Sequence, residues 1–167
     1  MKSVRRVLCV FLLVLALPGC MAGDDPVPIP RLPGVDLQGG TLVFYSDTHD
    51  GFLGDGETLA VIRFEREKAN ALARQMEGSG RWRALPMPQP LRVTLYGGWG
   101  QSPVFTNDSG ESVVPRVENG YYYFWNRRSG CDNPADEWDL LDGYSYNFSV
   151  ALYDTGQGVF YLYEVDT

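Results

Sequence analysis

The residues best suited to chemistry lie between Asp47 and Glu57, where four acidic side chains, one histidine and three glycines occur within eleven residues. Calcium takes six to eight oxygens from carboxylates and carbonyls, and glycines permit the tight turns that bring such oxygens together. The spacing differs from an EF-hand, because His49 stands where a second acid is required. The sequence predicts either a solvated connection or a ligand site whose Asp47, Asp50 and Asp55 would hold calcium. The candidate ligand-binding residues here are Asp47, His49, Asp50, Asp55 and Glu57.

His49 is the one histidine of the chain, so it limits the catalytic mechanisms that the sequence can support. A nucleophilic hydrolase needs a base beside a serine or cysteine, and here that base would be His49 with neighbouring acids. The chain contains no Gly-x-Ser-x-Gly motif, and no recognisable catalytic motif flanks Cys131. Zinc enzymes need several histidine or cysteine ligands, which this composition does not supply. A non-catalytic role is favoured, and an extracytoplasmic hydrolase is the alternative.

A second candidate site is the aromatic run from Tyr121 to Trp125, which is followed by Asn126. Side chains alternate between the two faces of a strand, so this run has two aromatic faces. One face must belong to the core. The other would be a platform for sugar rings or peptide side chains if open, and core if covered. The residues that would form this platform are Tyr121, Tyr123 and Trp125.

Hydrophobic alternation predicts the strands that position these candidate sites. Tyr144–Leu152 and the returning Val159–Val165, joined by a Gly-containing turn, have the clearest pattern and should form a β-hairpin. Phe148 lies in the middle of this alternation and should be core. In Thr41–Ser46 we expect Leu42 and Phe44 on one face. The other predicted strands or extended pieces are Thr58–Phe64, Arg81–Leu85, Leu91–Tyr96 and Tyr121–Asn126.

One clear helix is predicted over Glu67–Glu77, with apolar residues at i, i+3, i+4 and i+7 and Gly78 after its end. The acidic connection Arg127–Gly143 should contain one short helical turn near Leu140. Together these elements predict an α+β fold, in which an antiparallel sheet of five to seven strands carries one principal helix packed on a face.

The N-terminal segment has the pattern of an export signal. Lys2, Arg5 and Arg6 precede Val7–Leu17, an uncharged apolar stretch that is shorter than the ~20 residues needed to span a bilayer. The stretch ends in Leu17-Pro18-Gly19-Cys20, which resembles the lipobox of bacterial lipoproteins, although Pro18 is a less usual residue in its position. The resemblance implies diacylation of Cys20 and cleavage before it. An ordinary secretory signal and an uncleaved anchor are the alternatives.

This resemblance implies a chain attached by lipid to the extracytoplasmic face of the cell membrane. We divide the chain into a signal peptide, residues 1–19, a lipidated cysteine with a proline-rich tether, residues 20–36, and a single ectodomain, residues 37–167. The prolines of the tether favour an extended, stiff chain. We therefore expect the segment Met21–Gly34 to be dispensable for folding.

The charge of the mature chain restricts its partners. The full sequence has 14 Lys and Arg against 21 Asp and Glu, a formal net charge of −7, and loss of the three basic signal residues makes it more acidic. Nucleic acid and anionic lipid repel such a domain, so a nucleic-acid partner is disfavoured. The favoured partner is a protein, peptide or glycan, preferably cationic. Apart from the calcium discussed above, the sequence implies no cofactor.

Three motifs of the ectodomain are similar to those of small, uncharacterised lipoproteins of anaerobic bacteria. This resemblance implies no activity. The motifs are Asp55-Gly56-Glu57-Thr58, Glu118-Asn119-Gly120-Tyr121-Tyr122 and the C-terminal Glu164-Val165-Asp166-Thr167.

Overall fold

The computed structural model describes residues 31–49, 54–128, 133–141 and 145–167. The predicted signal peptide lies outside the described residues. The same is true of four residues discussed above, which are Cys20, Asp50, Cys131 and Tyr144.

The described strands form one six-stranded antiparallel sheet with the order β1-β2-β6-β5-β4-β3. Each strand pairs with its neighbours in an antiparallel register, so hairpins and longer connections build the sheet without a parallel crossover. The strands are β1 (Thr41–Asp47), β2 (Gly56–Arg63), β3 (Arg83–Ala84), β4 (Gly120–Asn126), β5 (Asn147–Asp154) and β6 (Val159–Asp166).

The principal helix is α1 (Arg66–Ser79), which connects β2 to β3 and covers one face of the sheet. It extends slightly beyond both predicted ends, and Gly80, with φ 64°, terminates it in place of Gly78. Leu72 and Met76 are fully buried against the sheet. The Tyr153 hydroxyl donates a 2.8 Å hydrogen bond to the Ala69 carbonyl oxygen. The predicted α+β fold with one principal helix on a face is therefore confirmed.

The predicted strand Leu91–Tyr96 is wrong, because these residues belong to the helix α2 (Gln89–Tyr96). Pro90 lies in its first turn, where the missing N–H removes no intrahelical hydrogen bond. The Thr94 hydroxyl donates to the Pro90 carbonyl oxygen, one turn earlier, at 3.1 Å. This short helix is buried on several sides, so its apolar residues are not confined to one helical stripe. Their alternation along the chain therefore resembled the pattern of a strand.

Helix α2 and the connection that follows it cover the second face of the sheet. The core on this side, here called the α2-side core, contains Leu91, Leu95 and Phe105 packed against Phe124 and Phe148. Phe148 is fully buried, which confirms the prediction from its strand pattern. Its ring makes an edge-to-face contact with Phe105 at a centroid distance of 5.9 Å.

The predicted faces of the first strand need a correction. The pairing of β1 with β2 shifts register between Leu42 and Phe44, which is the signature of a β-bulge. Leu42 and Tyr45 consequently both pack toward the core on the α1 side, whereas Val43 and Phe44 are exposed. The bulge adds one residue, Val43, to β1. Strict alternation along the sequence does not account for an added residue, so it assigns the residues after the bulge to the wrong faces.

The last residues assigned to the tether belong to the folded domain. Leu32 is buried in the core beneath α1, and Val35 and Leu37 pack against the same core. The Trp82 indole N–H donates a 3.1 Å hydrogen bond to the Pro33 carbonyl oxygen. The packed structure therefore begins before Leu37, the first residue assigned to the ectodomain.

The acidic connection after β4 contains a 3₁₀ helix, Glu137–Leu140, close to the predicted helical turn. Its Glu137 is buried and forms an ion pair with Arg83 of β3. The Tyr122 hydroxyl donates to the same carboxylate at 3.4 Å. One member of this acidic connection thus fastens the 3₁₀ helix to the edge of the sheet.

Candidate functional site

A row of directly opposite residues crosses five strands near one end of the sheet. Asp47 of β1 pairs with Thr58 of β2, which pairs with Glu164 of β6. Glu164 pairs in turn with Ser149 of β5, and Ser149 with Trp125 of β4. Because directly opposite residues in a sheet project to the same face, these five side chains share one face.

This face is the one that α1 covers. Thr58, Ala60 and Ile62 alternate along β2, and Ala60 and Ile62 lie in the core beneath α1. Helix α1 therefore covers the apolar part of this face. The polar part of the face starts at the row of opposite residues that includes Thr58. We call the charged and hydroxyl groups gathered there the polar strip: Asp47, His49, Arg127, Ser149, Glu164 and Asp166.

His49 lies between two carboxylates of the polar strip. Its Nδ1 is 2.7 Å from Asp47 Oδ1, and its Nε2 is 3.2 Å from Asp166 Oδ2. The hydrogen bond to Asp47 raises the pKa of His49 above its ordinary value; contact with Asp166 contributes, and partial burial opposes the shift. The same bond lowers the pKa of Asp47. Both shifts favour an imidazolium held between carboxylates.

Arg127, just after β4, is the second cation of the polar strip. Its guanidinium lies 3.2 Å from Glu164 Oε1 and 2.8 Å from Asp166 Oδ2, and it also donates to the Ser149 hydroxyl oxygen. The Ser149 hydroxyl donates to Glu164 in turn. The carboxylate of Asp166 therefore joins His49 to Arg127, and the six groups form one continuous network.

The structure separates the predicted ligand residues of the connection between β1 and β2. Asp47 and His49 come together in the polar strip, whereas Asp55 is exposed. Glu57 is adjacent to Thr58 on β2, so its side chain projects to the opposite face. Partial burial there raises the pKa of the Glu57 carboxyl.

The calcium hypothesis for Asp47, Asp50 and Asp55 stays a prediction, because Asp50 lies outside the described residues. Within the described ranges, no three histidine, cysteine, aspartate or glutamate side chains are grouped so that they could hold a metal ion. Arg127 instead contacts Glu164 and Asp166, two acids that belong to the same network as Asp47.

The aromatic residues predicted as a platform lie on the α1 side of the sheet and are largely covered. Tyr123 is buried, with its ring centroid 5.5 Å from that of Trp82. Tyr121 and Trp125 are partly buried against the same core. Strand β4 therefore contributes side chains to the core on both faces of the sheet. Of the three predicted platform residues, Trp125 is the one next to the polar strip.

A cavity of about 310 Å³ lies at the β4 end of the row. Trp125, Tyr123, Arg81 and Arg83 contribute to its lining. The Arg81 guanidinium stands 6.0 Å from the Trp125 ring centroid. Aromatic and cationic side chains therefore border the polar strip at its β4 end, which is the end farther from His49.

Sequence reasoning missed Arg127, Ser149, Glu164 and Asp166 as members of a site. A signal was present in β6, where the residues at every second position change from apolar to acidic toward the C-terminus. Such a change marks the place where one face of a strand leaves the core. The residues that share this face are Phe160, Leu162, Glu164 and Asp166.

No protein-family model matches the chain, and no curated protein or solved structure is significantly similar to it. None of the helices that the structure describes has both the length and the hydrophobicity needed to cross a membrane.

Proposed function

We propose that this protein is a membrane-anchored extracytoplasmic lipoprotein and that its folded domain is a non-catalytic binding module. The anchor is supported by the basic and apolar N-terminal segment and by Leu17-Pro18-Gly19-Cys20. The binding role is supported by the polar strip, which is a preformed charged surface at one end of the sheet.

One observation carries the binding role: three carboxylates converge on the polar strip and remain accessible to solvent. The side chains of Asp47, Glu164 and Asp166 are 40%, 20% and 33% exposed. Arg127 and, when protonated, His49 compensate only part of this charge, so an excess of negative charge remains. Electrostatic complementarity then favours a basic group on the partner protein or peptide.

The geometry around His49 supports the binding module over the alternative hydrolase. Asp47 and Asp166 face its two ring nitrogens, and the hydroxyl oxygen that lies within hydrogen-bonding distance, 3.2 Å from Nδ1, belongs to the buried Thr58. The Ser149 hydroxyl donates to Glu164 instead. In the part of the chain that the structure describes, no serine or cysteine is thus placed for activation by His49.

The binding role can be tested by capturing envelope proteins on the full chain as bait. We expect wild type to retain basic proteins at low salt and to release them as salt increases, because screening weakens contacts between exposed charges. Asp47→Asn should reduce capture, whereas Glu118→Gln, which removes an exposed acid outside the strip, should not. Capture that neither salt nor Asp47→Asn changes would contradict a role for this surface.

Metabolic labelling with a fatty acid tests the anchor independently. We expect the wild-type chain to incorporate the label and Cys20→Ser to remain an unlabelled, unprocessed precursor. Equal labelling of the two chains would show that Cys20 is not the lipid attachment site.

A further inference from the structure

The segment that follows α2 forms a tight turn, and α2 packs on the face of the sheet opposite the face that carries the polar strip. Gly98 and Gln101 exchange two backbone hydrogen bonds of 3.0 and 2.9 Å. The two central residues, Trp99 and Gly100, have φ angles of 53° and 81°. Two positive φ angles in a two-residue loop define a type I′ turn, in which asparagine, aspartate and glycine are the favoured residues.

Trp99 is an unfavourable residue for this backbone position. Among the residues whose backbone the structure describes, it is the one non-glycine residue with a positive φ. A bulky side chain is sterically disfavoured there, and such outliers occur at functional sites. Packing does not compensate, because the side chain is 62% exposed. The turn therefore holds a large aromatic ring in solvent at a cost to its own backbone.

The turn is attached firmly to the rest of the domain. The Gly97 N–H donates to the Val93 carbonyl oxygen at 2.8 Å, which continues the hydrogen-bonding of α2. A second backbone bond of 2.9 Å joins Val104 to the Thr94 carbonyl oxygen, so both sides of the turn are tied to α2. A backbone ordered in this way would lower the entropic cost of binding a ligand at the turn.

The composition of the segment around Trp99 indicates which kind of ligand its indole would suit. Residues 97–107 contain no ionisable side chain, and the exposed Gln101 and Ser102 offer neutral hydrogen-bonding groups. Anionic membranes attract basic segments, which this turn lacks. An aromatic face beside a few neutral polar groups suits a ligand that is apolar on one face and rich in hydroxyls at its edge.

We propose that the turn at Trp99 is a carbohydrate-binding site, in which the ring of a neutral sugar stacks on the indole and Gln101 hydrogen-bonds its hydroxyls. This site is separate from the polar strip, and the proposal does not depend on a basic protein partner. The proposal explains why an exposed tryptophan occupies an unfavourable backbone position, which neither packing in the core nor the charge of the domain explains.

The test uses the full chain on an array of neutral oligosaccharides, followed by titration of each bound sugar. We expect at least one sugar to bind, Trp99→Asn to weaken its binding at least tenfold, and the melting temperature of this variant to equal or exceed that of wild type. Trp138→Asn is the matched control, because Trp138 is 59% exposed and lies in a 3₁₀ helix without a positive φ.

Three results would overturn the proposal. They are binding of no sugar on the array, equal binding by wild type and Trp99→Asn, and loss of sugar binding in Trp138→Asn alone. Trp99-dependent binding to anionic phospholipid vesicles without sugar binding would instead identify the turn as a membrane contact.

Discussion

His49 Nε2 lies 3.2 Å from Asp166 Oδ2, although 117 residues separate the two in the chain. This contact joins the connection after β1 to the last residue of β6. The pairing of β2 with β6 makes it possible, because Gly56 and Asp166 are opposite each other in the sheet. The geometry of the polar strip therefore depends on the register of strands that are distant in sequence.

The position of His49 predicts a pH dependence of stability. Its folded pKa is raised, so the folded state binds the proton more tightly than the unfolded state. The resulting stabilisation is fully present below the ordinary histidine pKa of about 6.5 and is lost as pH rises through the folded pKa. We expect about 0.5–1 kcal/mol, as is usual for partly exposed ion pairs. Urea unfolding at pH 6 and pH 8 measures it.

His49→Gln is the control for this prediction, because His49 is the one histidine of the chain. The difference in stability between pH 6 and pH 8 should shrink in this variant, and at acid pH it should be less stable than wild type. An unchanged pH profile would show that the imidazolium between Asp47 and Asp166 contributes nothing to folding.

Phe148 should be among the most sensitive positions of the α2-side core. It is fully buried, with its ring centroid 5.9 Å from those of Phe105, Phe124 and Tyr146. Phe148→Ala should cost about 3–5 kcal/mol, because it removes a buried ring and leaves a cavity. Phe44→Ala, at the exposed side of β1, should change the free energy of unfolding by no more than about 0.5 kcal/mol. Equal effects of the two changes would refute the assigned faces.

The end of the predicted tether should matter for stability. Leu32→Ala should cost about 2 kcal/mol, near the lower limit for buried leucine because Leu32 lies at the margin of the core. Deleting Met21–Gly34 should cost at least as much, which revises the expectation that this segment is dispensable. Deleting residues 21–30 alone should have an effect within about 0.5 kcal/mol. Thermal unfolding of the three variants would show where the folded domain begins.

Two glycines should respond oppositely to alanine. A Cβ on Gly120, which has φ 146°, would lie 1.8 Å from the Tyr153 carbonyl oxygen. Gly120→Ala should therefore cost about 3 kcal/mol, because the backbone of β5 would have to move. Gly78 lies within α1 and has nothing within 4 Å of an added Cβ. Gly78→Ala should stabilise by about 0.5–1 kcal/mol, and stabilities that fall equally in both variants would contradict this account.

Much of the fold could be predicted from sequence where one periodicity extends over a long element. The stripe of α1 and the alternation of β6 predicted nearly the observed bounds, and the alternation of β5 predicted a strand whose observed bounds, Asn147–Asp154, lie slightly later in the chain. Prediction failed where the local pattern was short or interrupted. Helix α2 is too short for its alternation to be distinguished from that of a strand, and the bulge at Val43 reverses the faces within β1.

The candidate site was predictable only in its local part. Asp47 and His49 are two residues apart, so their proximity follows from the sequence. Glu164, Asp166 and Arg127 reach them through strand pairing, which no local pattern records. Glu137 is a similar case: it is one acid within an acidic connection, and its burial depends on the non-local partners Arg83 and Tyr122.

The contact between Trp82 and Pro33 has a mechanical consequence. Tension applied from the N-terminal side reaches Leu32 and the Trp82–Pro33 hydrogen bond before it reaches Thr41, the first residue of β1. Among the described strands, β1 pairs only with β2, and such an edge strand can be peeled away one hydrogen bond at a time. The packed segment therefore transmits a pull from the N-terminal side into the core beside α1, and it protects the edge of the sheet from unzipping.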